Sequence, residues 1–190
     1  FVINLEAVDC FTFLDYIETL RSSDSFASFK ENLRKVRYRS GNVSYESRNH
    51  FFTDWLEFNA SRIEDITGRI GLEKTILTIT NLNNKNNGTV FLPGIPCRER
   101  EIAHIPSHAV DDAVVERLRT GDYIGIYSEV PGLDVSHAGI IVKEDGKVKL
   151  DGGQMKYVVR SWAEKDLQAA TGWAQALPDS KDREKMLNII

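Results

Sequence analysis

The sequence has little cysteine, little proline and no long apolar run. Two cysteines in 190 residues, Cys10 and Cys97, allow at most one disulfide, which excludes a small scaffold stapled by bridges. Five prolines and thirteen glycines leave no stretch that reads as a linker or a low-complexity segment. No stretch reaches the ~20 apolar residues that a membrane-spanning helix needs. Basic residues are not in excess: 24 against 28 acidic ones give a net charge of −4. That balance disfavours nucleic acid as the main partner, because phosphate binding calls for a basic surface. No set of ligating side chains has metal-site spacing, since Pro106 between His104 and His108 disfavours a helical pair and no third ligand follows. His104 and His108 therefore read as loop residues. The chain starts at Phe1 without Met or a signal-like segment, as expected of a mature or trimmed product.

What is present is an ordinary globular composition, 42 % apolar and 27 % charged, in a length that fits one domain, residues 1–190, with a continuous core. The first half has helical periodicity. Phe13, Leu14, Ile17 and Leu20 form a stripe after Asp9, which is placed as an N-cap. A second helix is predicted from Ser25 through Val36 and a third over roughly Asn49 to Asp65. The run Arg34 to Arg39 reads as a solvated basic helix face able to steer an anion. Strands are predicted at Thr75 to Thr80 and Thr89 to Leu92, joined by an Asn-rich, mobile loop, then a short helix, Ala109 to Arg119, capped by Gly121. Three further strands follow, Tyr123 to Ser128, Ser136 to Lys143 and Lys147 to Leu150, with Asp145-Gly146 turning the last two; Tyr157 to Trp162 is a candidate fourth before a polar helical tail. Helices first and an antiparallel sheet after give an α+β fold.

Two residues in this layout suggest chemistry. A thiol in the first turn of a helix, as Cys10 would be, feels the positive end of the helix dipole and unpaired backbone N–H groups. Both favour the reactive thiolate, and the same N–H groups can stabilise an oxyanion. The plain alternative is a small buried residue. A base is needed, and of four histidines His137 is the best placed, at the mouth of a strand with small residues, Ala138 and Gly139, behind it. A strand-borne imidazole with a helix-borne thiol is the pairing used for nucleophilic attack on a carbonyl.

The run Asp9-Cys10-Phe11-Thr12-Phe13, then Gly121-Asp122-Tyr123, then Ser136-His137-Ala138-Gly139-Ile140 resembles the NlpC-type papain-like cysteine hydrolases. Arg48-Asn49-His50-Phe51-Phe52-Thr53-Asp54-Trp55 and Gly132-Leu133-Asp134-Val135-Ser136-His137 are similar to the N-acetylmuramoyl-L-alanine-amidase-like branch, over about Ile3 to Tyr157. The resemblance implies a papain-like fold with the N-terminal helices packed on the sheet. It implies Cys10 as nucleophile and His137 as base and then acid. The partner it implies is peptidoglycan fragments, cut between the lactyl group of N-acetylmuramic acid and L-alanine, by a monomer acting in the periplasm or outside the cell without a metal. A stem-peptide endopeptidase, another thiol amide hydrolase of the same fold or an inactive fragment-binding relative are the competing readings.

In the family a His-Ala-Ser segment follows the catalytic histidine; here Leu150-Asp151-Gly152-Gly153-Gln154 stands in its place. Asp151 is the first choice for orienting the imidazole and Gln154 the reserve, depending on register. A two-residue turn pairs Glu144 with Lys147 and sets Gln154 opposite His137. A three-residue loop pairs Lys143 with Lys147 and brings Asp151 to that face. For substrate binding, Arg48 is suited to a stem-peptide carboxylate, Asp54 is a further candidate, and Trp55 suits a sugar unless it is core. Asp134 either contacts the substrate amine or holds its turn.

Overall fold

Asp9 begins the first helix in the way its position requires. In a computed structural model of the chain its carboxylate accepts from the Thr12 N–H at 2.6 Å, and α1 runs Cys10–Arg21. The structure describes residues 1–5, 8–144, 147–151, 163, 167–175 and 180–188. After α1 come α2 (Phe26–Arg37), α3 (Phe52–Phe58), α4 (Thr67–Gly71), β1 (Ile76–Leu82) and β2 (Arg98–His104). Then follow α5 (Asp112–Arg117), β3 (Tyr123–Tyr127), β4 (Val135–Glu144), β5 (Lys147–Asp151), α6 (Leu167–Gln175) and α7 (Ser180–Leu187). Helices with two small antiparallel sheets, ordered β1-β2 and β3-β4-β5, make the fold α+β. The chain gathers into two compact units, Phe1–Ser47 with Gly152–Ile190, and Arg48–Asp151.

In the first unit α1 and α2 bury their apolar stripes together. Tyr16 and Leu20 pack with Phe29 and Leu33, Leu5 and Ala174. Burying one such side chain contributes roughly 1.5–3 kcal/mol. Ser25 starts α2 with a reciprocal cap involving Ser28. The basic run that follows is not one solvated face. Arg37 is buried and donates from Nε to Asp15 at 2.8 Å, while Arg34 and Lys35 stay outside and pair with Glu31. Burial opposes the charge on Arg37, but Asp15 outweighs it and holds the guanidinium pKa above its ordinary value.

The second unit departs more from expectation. Helix α3 is far shorter than the predicted Asn49 to Asp65, because the Asn59 side chain donates to the Trp55 carbonyl at 2.9 Å and ends the helix. Thr89 to Leu92 is not a strand; only a single bridge, Asn84 to Val90, forms there. The partner of β1 is β2, in register from Ile76 opposite His104 to Leu82 opposite Arg98. The predicted helix at Ala109 to Arg119 shrinks to α5, capped by Asp111, and Gly121 lies beyond it in the turn before β3. The three C-terminal strands fall close to their predicted limits. The candidate strand Tyr157 to Trp162 lies outside the described residues.

Helix α3 packs on one face of β3-β4-β5. Trp55 is fully buried, edge-on to Tyr123 at 5.3 Å and stacked on Phe52 at 6.0 Å. Gly125 is required there, since a Cβ would meet Val135 Cγ1 at 2.6 Å and Phe52 Cδ1 at 2.9 Å.

Candidate active site

Cys10 is the first residue of α1, directly after the Asp9 cap, and is partly buried. Three structural facts about it follow from the sequence. The N-cap carboxylate takes the Thr12 N–H, the first-turn N–H of Cys10 has no acceptor within the helix, and the thiol stands at the positive end of twelve aligned residues. Cys97, in contrast, is exposed in the Pro93-to-Cys97 loop.

His137 is on β4, opposite Ile126 of β3. Two residues before it the register slips: Tyr127 pairs with Val135, so Ser136 is an extra residue, and its Oγ donates to the Ile126 carbonyl at 3.3 Å. Such a bulge kinks the strand and re-aims the side chain beside it. Opposed residues in an antiparallel pair share a face. Ala138 pairs with Gly125, on the side packed against Phe52, so His137 occupies the other side, where it and Ile126 are both exposed.

Asp134 has a defined structural role. Its carboxylate is buried and accepts from the Thr53 N–H at 2.7 Å and the Thr53 hydroxyl at 2.9 Å, with the other oxygen taking the Val135 N–H at 2.8 Å. Phe51, the residue in the N-cap position of α3, has no capping side chain, so Asp134 supplies the cap from 81 residues away. Burial raises its pKa above the usual carboxylate value, and the three hydrogen bonds offset that only in part.

The chain has amidase-like relatives. The model of the AmiA-like family, described as N-acetylmuramoyl-L-alanine amidase-like, matches residues 1–169. The chain belongs to this family. Among solved structures, an N-acetylmuramoyl-L-alanine amidase from Bacteroides uniformis is 25 % identical, with 81 % of this chain and 74 % of that one covered and a TM-score of 0.65. A candidate xylanase from Bacteroides fragilis, 24 % identical over 83 % of this chain and 77 % of that one, has a TM-score of 0.66. A DUF1460 protein from Legionella pneumophila, 22 % identical over 78 % and 65 %, has a TM-score of 0.64. These last two show the fold alone. No curated protein matches the sequence. Every candidate site residue of this AmiA-like chain, from Cys10 to Asp151, lies within the family match.

Several candidates need correction. Trp55, fully covered by its own core, has no ring face open to a sugar. Asp54 is also buried; its Oδ1 accepts from Arg100 at 2.6 Å and pairs with Arg98 at 3.3 Å, in a cluster that includes Glu57. Burial pushes the Glu57 pKa up, but Arg100 and Arg98 outweigh it and leave it below the usual range. Asp134 holds its turn, the second of its two readings, with all its bonds spent inside the protein. The β4-β5 register pairs Glu144 with Lys147 and Asp151 with Ile140. This is the two-residue alternative, and it puts Asp151 in the row of Ala138 and Ile140, not that of His137. Gln154 lies outside the described residues. Arg48 is half-buried, and its side chain makes no hydrogen bond or ion pair with another described residue.

Arg98 and Arg100 were missed as strand residues, though Arg98, Arg100 and Ile102 alternate with Glu99 and Glu101 in the two-residue period of a strand. Among the described residues there is no cluster able to hold a metal, and no helix is long and apolar enough to cross a membrane.

Proposed function

We propose that this AmiA-like protein is a papain-like cysteine amidase that hydrolyses peptidoglycan fragments at the bond between N-acetylmuramic acid and L-alanine. The observation that carries the reading is the capped start of α1, which puts the Cys10 thiol in a helix first turn within a chain of an amidase-like family. Cys10 Sγ, as thiolate, attacks the lactyl carbonyl carbon. The tetrahedral oxyanion accepts from backbone N–H groups at the helix start. His137, as imidazolium, gives its proton to the departing amine of L-alanine, leaving a thioester. The now neutral imidazole takes a proton from water as it attacks, and the muramic carboxylate leaves with the thiolate restored.

Arg48 suits a carboxylate of the stem peptide, since it has a guanidinium fork with no internal partner among the described residues. The orienting partner of His137 is best assigned to the position across the hairpin from it. Asp151 and Gln154 are its two candidates, and the pairing of Glu144 with Lys147 is the register for which the sequence pattern favours Gln154. A cell-wall substrate also makes the periplasm or the exterior the place of action.

The test is alkylation in a Cys97→Ser background. Iodoacetamide near pH 6 should modify Cys10 stoichiometrically, with loss of muropeptide hydrolysis in step. Slow labelling, typical of an ordinary thiol, would instead support the inactive fragment-binding relative.

A further inference from the structure

The loop that the sequence presents as a mobile Asn-rich turn has a buried hinge. Asn83 is fully buried, with a left-handed φ of 71°. Its side-chain Nδ2 donates to the carbonyls of Leu92 at 3.0 Å and Ile95 at 2.7 Å, and its Oδ1 accepts from the Leu92 N–H at 2.7 Å. One side chain thus closes the loop from 83 to 95. Its backbone works outward: the Asn83 N–H donates to the Gly132 carbonyl at 2.8 Å. Gly132, at φ 88°, lies so close that a Cβ would meet Asn84 backbone atoms at 2.6–2.9 Å.

Gly132 belongs to the segment that leads into His137. That segment is fixed by Asp134 on the α3 side, and the Ser128 N–H donates to the Asp134 carbonyl at 3.0 Å. Five residues after Gly132 comes His137, with the Ser136 bulge just before it. A shift at Gly132 therefore has only a short, hydrogen-bonded path to the imidazole.

We propose that Asn83 is a positioning residue for His137: it locks the 83–95 loop and, through the Gly132 carbonyl, sets the path of the strand that presents the imidazole. This rests on the reading of His137 as the base. Asn83 touches no reacting atom, so its effect is on geometry, where an error on the order of 1 Å can cost about a hundredfold in rate.

Asn83→Gly keeps the left-handed backbone and removes the three side-chain bonds. Muropeptide hydrolysis should show kcat reduced about ten- to hundredfold, with KM within about twofold. The acid limb of the kcat/KM pH profile should also move, which mere loss of folded protein would not produce. Gly132→Ala approaches the same contact from the other side and decides the matter if Asn83→Gly fails to fold. Both variants should share this signature, and the double variant should be no worse than the weaker single one. A wild-type pH profile and kcat in either folded variant, alongside an inactive His137→Ala, would overturn the role of Asn83 alone. Hydrolysis that survives His137→Ala would overturn the catalytic reading and this inference together.

Discussion

Cys10 and His137 each follow an aspartate that caps a helix, and the two arrangements are opposites. Asp9 is exposed and caps its own helix, three residues from the N–H it accepts. Asp134 is buried and caps a helix 81 residues away while also bonding the backbone at Val135. Cys10 is therefore placed by local rules, within one turn of chain. His137 is placed by long-range ones: a remote cap, a bulge at Ser136 and the packing of α3 on β3-β4-β5. A local device survives changes elsewhere in the fold, whereas a remote one ties the site to the stability of the unit that carries it.

The largest effect is expected at the two residues that the proposed mechanism uses. Cys10→Ala and His137→Ala should each lower muropeptide hydrolysis by about a thousandfold or more, with thermal unfolding and circular dichroism near wild type. Activity retained in either would break the comparison at its root. Next comes the remote cap. Asp134→Ala leaves the Thr53 and Val135 N–H groups without their acceptor and should cost about 2–3 kcal/mol in denaturant unfolding. It should also slow hydrolysis about tenfold where the protein is still folded, because the same residue fixes the approach to His137.

The pH dependence is a smaller, sharper test. The native pKa of Asp134 is raised by burial, so protonation favours the folded state. Its contribution is complete below the ordinary carboxylate value, about 3.9, and fades as pH rises through the raised native value. The stability advantage of wild type over Asp134→Asn should therefore shrink as pH rises above the ordinary carboxylate value of about 3.9. An advantage that grows with pH would mean that the hydrogen bonds, not burial, dominate. Smallest of all is the local cap: Asp9→Ala should cost about 1 kcal/mol or less, with catalysis within about threefold of wild type.

The same division separates what the sequence made legible from what it did not. The starts of α1 and α2 and the β3-β4-β5 meander were readable, because caps, stripes and a two-residue turn are local signals. Helix α3 was overextended since nothing local marks Asn59 as the residue that turns its side chain back on Trp55. Strand β2 was hidden because its charged residues have partners, Asp54 and Glu57, that only the fold supplies. Among the candidate residues, the place of Cys10 at the capped start of a helix could be read directly. Trp55, Asp54 and Asp134 could not be sorted into core or contact, since their burial is a property of α3 against the sheet. Asp151 turned on a single residue of register, which hydrophobic pattern alone left open.

The measurement that tests the central claim most directly is the mass of the products formed from a defined muropeptide by wild type and by Cys10→Ala. Wild type should release the intact stem peptide, beginning at L-alanine, together with a muramic acid bearing a free lactyl carboxylate. The variant should release neither. A shortened stem still attached to the sugar, or the same products from Cys10→Ala, would contradict a cysteine amidase acting at that bond.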